Sequence, residues 1–337
     1  MAMNKNGLPV LRAAELATVQ KQNRWLINGL WAASGVGVIG GSPKSGKSWL
    51  GLELAVSVAT GTDCLGRFAI EQPGTVIVYL AEDALHMVRE RLVSLCIHHH
   101  WSIDNLDVLV ITAPCVRLDR EDHIQKLEQT VKTYKPKMLL LDPFVRLHTV
   151  DENNAQEVAR ILNRLRILQR TYELSIIIVH HTRKSGSQRQ SGMALRGSGD
   201  FWAWGDSNLY VTSQVKCQRL VVEHRAAPAP EPLTFSLGGD PPHLSLVEVS
   251  EEKEMSLDER VIDILHQAQS PMTRTEMRQR LAVNNNRLGL TLQKLSQNRQ
   301  IHRTKYGWER INGVDSGQNR SVLSLIDHEN DTIGDDR

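Results

Sequence analysis

At 337 residues, 41% hydrophobic and 23% charged, the chain has an ordinary globular composition and enough length for two domains of about 100–200 residues each. A net charge of +2 excludes a globally basic nucleic-acid coat, so any basic surface must be local. Four cysteines (Cys64, Cys96, Cys115, Cys217) without a C-x-x-C pair suit a reducing cytoplasm, and apolar runs of only strand length exclude a membrane span.

Residues 1–24 read as a leader or oligomerisation arm: a polar start, then a weakly amphipathic helix around 11–19. Lys5 and Arg12 are followed by no unbroken apolar core, so no signal peptide is expected. Trp25, Leu26, Ile27, Leu30 and Trp31 approach a β-branched run, Val36 to Ile39. This run enters Gly41, Ser42, Pro43, Lys44, Ser45, Gly46, Lys47 and Ser48, which fit G-x-x-x-x-G-K-[ST] in full. Leu50, Leu52, Leu54, Ala55 and Val58 then carry helical spacing, which gives the strand–turn–helix context such a motif requires. Glycines let backbone N–H groups converge on phosphate oxygens at a helix N-terminus. Lys47 is placed to neutralise the β- and γ-phosphates, the Ser48 hydroxyl to hold Mg²⁺, and Trp49 to border the nucleotide.

Further along, 75–80, 106–111, 138–141 and 174–179 read as buried strands. They alternate with amphipathic helices at 84–98, 121–133 and 155–172. Strands and helices alternating at this spacing imply an α/β fold with a mostly parallel central sheet, extended by strands at 209–212 and 219–224. The ATPase domain is thus expected over 25–225. The proline-rich stretch 226–232 cannot continue a helix or a central strand, so 226–255 is read as a connector, with a hairpin or extended segment at 233–249.

Ligand-contacting groups of parallel sheets lie at the carboxyl ends of strands. Asp142 closes 138–141 as a Walker B aspartate for Mg²⁺. Glu82, beside Asp83, follows 75–80 as a candidate to polarise the attacking water. His180 or His181 follows 174–179 as a candidate γ-phosphate sensor. Each has a plainer reading, as a helix cap, a solvated loop acid or a packed histidine, and their shared position across the strand ends is what sets them apart. Cys96 with His98, His99 and His100 lacks a second spaced ligand pair and reads better as a histidine-rich helix end than as a metal site. The arginines of 155–172 are explained as the outer face of a core helix.

The ordered motifs Gly-Ser-Pro-Lys-Ser-Gly-Lys-Ser-Trp (41–49), Tyr-Leu-Ala-Glu-Asp (79–83), Leu-Leu-Leu-Asp-Pro (139–143) and Val-His-His-Thr-Arg-Lys (179–184) resemble the RecA-type P-loop ATPases. Within them they are most similar to the RepA-type hexameric replicative helicases of plasmids and mobile elements. The resemblance spans roughly 20–225. It implies that Glu82 is the catalytic carboxylate, Asp142 the Walker B residue and His181 the sensor, with His180 second choice. Leu-Arg-Gly-Ser-Gly-Asp at 195–200 resembles the family's R-G-S segment, which implies that Arg196 reaches the nucleotide of a neighbouring subunit. Arg183 and Lys184 are rivals for that role. The polar stretch 185–192 corresponds to a loop that lines a central channel in such motors. Arg183, Lys184 and Arg189 there offer phosphate contacts to single-stranded DNA without sequence readout, against the plainer reading of a solvated loop. Phe201, Trp202 and Trp204 read as core aromatics rather than stacking groups.

Residues 256–311 read as three helices and a small hairpin around Gly307, a winged helix-turn-helix with 284–298 as recognition helix. Ten Lys/Arg against five Asp/Glu give this module +5. Arg287, Lys294, Arg303 and Lys305 are its candidate DNA contacts; a protein-interaction role is the alternative. Residues 312–337, with six acids against two arginines, read as a solvated tail. The chain is therefore expected to be a cytoplasmic, ATP- and Mg²⁺-dependent hexameric DNA helicase. A RecA-type recombination or loading factor, or an ATP-switched DNA-binding regulator that does not unwind, is the alternative.

Overall fold

The computed structural model describes residues 10–15, 24–181, 200–214, 217–247, 256–268, 270–281 and 283–311. Two compact units divide the chain, 1–248 and 249–337. Of the expected leader helix, the described part is a single 3-10 turn at Ala13–Glu15. The basic loop 185–192, Arg183, Lys184, Arg189, Arg196 and the acidic tail lie outside the described residues.

The first unit opens with a small antiparallel pair, β1 (Trp25–Ile27) and β2 (Trp31–Ala32). Then β3 (Val36–Gly41), α1 (Lys47–Thr60), β4 (Val76–Leu80), α2 (Leu85–His98), β5 (Val108–Val110) and α3 (Glu121–Tyr134) alternate. They are followed by β6 (Met138–Asp142), α4 (Ala155–Tyr172), β7 (Ser175–His181), α5 (Asp200–Trp204), β8 (Ser207–Ser213), β9 (Gln218–His224), β10 (Leu233–Gly238) and β11 (His243–Leu246). One nine-stranded sheet runs β11-β10-β9-β8-β3-β7-β6-β4-β5. The strands from β5 across to β8 are parallel, and β8 through β11 pair antiparallel.

Both faces of the sheet are covered, which explains why its central strands are near-continuous apolar runs. Along each strand the side chains alternate between two cores. Met138, Leu140, Ile177 and Val179 join α1 and α2 on one face. Leu139, Leu141, Ile176 and Ile178 join α3, α4 and α5 on the other. Helix boundaries follow local chemistry. Asn154 caps α4 through its side-chain oxygen, and Gly61, at φ 76°, accepts the left-handed turn that ends α1.

The 226–255 stretch contributes more than a connector. Its prolines do keep 226–232 out of regular structure, but Leu233 and Phe235 alternate with Thr234 and Ser236. That period-two pattern lets β10 pair with β9 and bury Phe235 against the α1 side of the sheet.

In the second unit α6 (Leu257–Gln267) starts with a complete capping box between Ser256 and Glu259. Next come α7 (Arg274–Leu281), α8 (Asn285–Gln297) and an antiparallel hairpin, β12 (Ile301–Arg303) with β13 (Trp308–Arg310). Val261, Leu265, Met277, Leu281, Leu288, Leu292, Leu295 and Ile301 form its own core. Gly307, at φ 152°, sits where a Cβ would lie 2.5 Å from the Met272 carbonyl oxygen.

The tightest backbone approach is between β3 and β8: a Cβ on Gly37 would lie 1.7 Å from the Ser207 carbonyl oxygen. Gly37→Ala is therefore expected to lower stability by at least about 2 kcal/mol in urea unfolding. Gly238→Ala, where a Cβ meets nothing within 4 Å, serves as control and should stay within about 0.5 kcal/mol of wild type. Equal urea midpoints for Gly37→Ala and wild type would contradict the close approach.

Candidate active site

The sheet register gathers the site. Gly41 at the end of β3 pairs with His181 on one side and Val211 on the other, and Leu80 pairs with Asp142. Beyond Gly41 the chain turns through Lys44 (φ 63°) and Gly46 (φ 87°) before α1 begins at Lys47. Only glycine takes such a φ without steric cost. At Gly41 a Cβ would sit 2.4 Å from the Val211 carbonyl oxygen, so that position too must stay bare.

A cavity of about 530 Å³ opens over this turn. Pro43 through Trp49, Glu82, Asp83, Arg91, Asp142, Pro143, Val179, His181 and Leu237 line it. The candidate residues Lys47, Ser48, Glu82, Asp142 and His181 thus share one space. Lys47 is buried, and its Nζ donates to the Ser42 carbonyl oxygen at 2.7 Å. Burial lowers its pKa, against the attraction of Asp142 and Glu82. Asp142 is 5% exposed, and burial pushes its pKa up to about 6, opposed by a hydrogen bond from Ser48 and the charge of Lys47.

Among the described residues, Asp142 Oδ2 is buried without a hydrogen-bond partner. A buried carboxylate oxygen with nothing to bond, beside a serine hydroxyl, is the donor set a hard divalent cation takes, so Ser48 and Asp142 fit Mg²⁺. The hydroxyl of Ser45, inside the loop, is likewise buried with no partner among the described residues.

The two histidines separate by parity. His180 continues the Ile176–Ile178 face, stacking on Phe201 with ring centroids 4.3 Å apart and meeting Phe144 edge-on. His181 continues the Ile177–Val179 face and lines the cavity. Phe201 and Trp204 are buried in the core, while Trp202 is exposed and donates its indole N–H to Glu223 at 2.9 Å.

Three contributors carried no motif. Arg91 of α2 holds Asp83 through two hydrogen bonds, at 2.7 and 3.1 Å, and lies over the Trp49 ring. Arg146 donates from Nε to Glu82 Oε1 at 2.7 Å. Leu237 reaches the cavity from β10, two residues beyond the buried Phe235, and the alternation of 233–237 was its only sequence signal. The histidine-rich end of α2 is held by packing: His99 Nε2 lies 3.1 Å from the buried Glu53 carboxylate, and His98 stacks on His243.

In the second unit Arg287, Arg303 and Lys305 are exposed, and Lys305 lies over the Tyr306 ring. Lys294 instead pairs with Asp258 at 2.6 Å.

The AAA domain family matches residues 5–187, more than half of the chain, and the protein belongs to that family. Among solved structures it is similar to the ATPase domain of G40P, at 13% identity and a TM-score of 0.50, over 65% of this chain and 87% of that one. A KaiC-like protein from the archaeon Pyrococcus horikoshii OT3 matches at 14% identity and a TM-score of 0.47, over 66% and 93% of the two chains. The RadB recombinase matches at 17% and 0.48, over 64% and 92%. Family, mostly parallel sheet and phosphate-binding turn are together those of a P-loop ATPase. No helix among the described residues is long and apolar enough to cross a membrane.

Because burial raises Asp142 above its unfolded value near 3.8, the folded chain holds this proton more tightly than the unfolded chain does. Its contribution to stability is best below pH 3.8 and falls as pH rises toward 6. Asp142→Asn should therefore raise the metal-free melting stability at pH 7.5, by on the order of 1–3 kcal/mol. The gain should shrink as pH drops toward 5. A variant less stable than wild type across that range would contradict this account of the buried carboxylate.

Proposed function

We propose that this protein is an ATP-driven, ring-forming DNA motor of the RepA-type helicase kind, serving replication of a plasmid, phage or mobile element. The observation that carries the reading is the convergence of Lys47, Ser48, Glu82, Asp142 and His181 on one cavity, in the motif order of those helicases. A module that used nucleotide only to assemble would have no use for a carboxylate at the position of Glu82.

In this reading the 41–48 turn cradles the phosphates, and Lys47 leaves the Ser42 carbonyl to meet the β- and γ-oxygens. Ser48 and Asp142 would hold Mg²⁺, which supplies charge neutralisation across the phosphates when bound. Glu82 orients and deprotonates the attacking water, and His181 registers the γ-phosphate from the end of β7. Arg196 of a neighbouring subunit completes the site, so hydrolysis needs an assembled ring, taken to be a hexamer. Arg183, Lys184 and Arg189 track single-stranded DNA in the channel.

The C-terminal unit is read as a winged helix. Its α8 and hairpin present Arg287, Arg303 and Lys305 to duplex phosphates, whereas Lys294 first has to leave Asp258. This basic module also supports a second reading: an ATP-switched regulator that binds one DNA site and unwinds nothing.

ATP hydrolysis with and without single-stranded DNA separates the two, with particle size recorded alongside. A motor should be stimulated several-fold as a ring. Glu82→Gln should lose about 100-fold or more in kcat while still binding nucleotide. Arg196→Ala should lose about 1000-fold in preparations that still assemble. Unstimulated turnover, a footprint at one duplex site and no unwinding of a tailed duplex would favour the regulator.

A further inference from the structure

Glu82 lies at the rim of the cavity, and a flexible exposed glutamate is a poor device for aiming a water molecule unless something fixes its rotamer. The sheet register supplies the means. Because β4 and β6 are parallel neighbours with Leu80 opposite Asp142, their chains leave the sheet side by side, and the Ala81 N–H donates to the Asp142 carbonyl at 2.7 Å. Two residues past β4 stands Glu82; four past the end of β6 stands Arg146, the last residue of a 3-10 turn at Phe144–Arg146.

That turn is rigidly seated. Phe144 and Leu147 on either side are fully buried, and the Leu118 N–H donates to the Leu147 carbonyl at 2.6 Å. The Arg146 N–H donates to the Pro143 carbonyl at 3.0 Å, and the Arg117 guanidinium donates to the Arg146 carbonyl. The Arg146 side chain is exposed, and it reaches Glu82 from this fixed base.

The contact has a useful asymmetry. Arg146 engages one oxygen, Oε1, through Nε, so the second oxygen keeps its lone pairs for a water. Next door, Arg91 takes both oxygens of Asp83. Two consecutive acids are thus drawn to different arginines on different elements. The need for this is electrostatic, because Asp83 and Glu82 both act with the buried Asp142 as like charges. Left alone, Glu82 would swing away from that cluster into solvent.

We infer that Arg146 is a positioning residue for Glu82, holding one carboxylate oxygen so that the other faces the reacting water. The inference rests on the proposed role of Glu82 as the water-activating group. An exposed pair adds little to folding stability, so its loss should be read in turnover rather than in melting. Lysine offers a point charge without the side-on Nε–H, so it should not replace arginine fully.

The test is steady-state and single-turnover ATP hydrolysis, with single-stranded DNA, by wild type, Arg146→Ala, Arg146→Lys, Glu82→Gln and the Glu82→Gln/Arg146→Ala double variant. Arg146→Ala should lower kcat about tenfold with KM changed less than about twofold, and Arg146→Lys should recover only part of that loss. In the Glu82→Gln background the Arg146 change should cost nothing more, because the arginine acts through the group already removed. Equal fractional losses in both backgrounds, a change confined to KM, or an unchanged kcat would each overturn the assignment while leaving the ATPase reading intact. A wild type that hydrolyses no ATP would overturn that reading, and the role of Arg146 with it.

Discussion

Everything at the candidate site depends on strand register. Four of the parallel strands, β3, β4, β6 and β7, carry the candidate residues to one edge of the sheet, and side chains there alternate between two helical layers. A slip of one residue in β7 would exchange His180 and His181, placing a cavity group in the aromatic cluster and a core ring in the cavity. Register between β4 and β6 likewise sets which residues beyond Leu80 and Asp142 come within reach of each other. Glycine at 37 and 41 protects that register, since any side chain at either would push β8 away from β3.

The second constraint is charge in a confined space. Glu82, Asp83 and Asp142 border the same cavity as Lys47, and Lys47 alone does not balance them. Lys44 adds charge from within the phosphate-binding turn, and Arg91 and Arg146 pair with Asp83 and Glu82 from outside it. Among the described residues Asp142 Oδ2 has no hydrogen-bond partner in the interior, so burial disfavours the ionised form and a bound cation would restore it. The burial that makes this carboxylate costly to ionise is the same burial that would make it a strong partner for a cation.

Much of this was legible in the sequence because its signals are local and periodic. The glycine-rich turn stood between a β-branched strand and a helix, and the acids stood directly after apolar runs, so Lys47, Ser48, Glu82 and Asp142 were found together. In the sequence only the family resemblance favours His181 over His180; which of the two faces the cavity depends on which sheet face α1 covers, and strand parity alone does not supply that. Arg91 and Arg146 escaped because an arginine on an amphipathic helix, or just past a strand, is ordinary there; only the fold brings them to Asp83 and Glu82. The prolines at 226–232 correctly marked a break, yet a break in regular structure is not the end of a compact unit.

That last point bears on how the catalytic part of this protein can be cut and carried. The strand that completes the cavity, β10, lies nearly 190 residues downstream of the phosphate-binding turn, yet it seats Phe235 in the core and Leu237 in the cavity wall. Its hairpin also touches the helix behind Glu82: the Ser94 hydroxyl donates to the Pro242 carbonyl, and His98 stacks on His243. A fragment truncated after β9 would keep every recognised motif and still lose one wall of its nucleotide chamber. It would also expose the unpaired edge of β9 to any passing strand. The smallest portable engine in this chain is therefore defined by its sheet and not by its motifs.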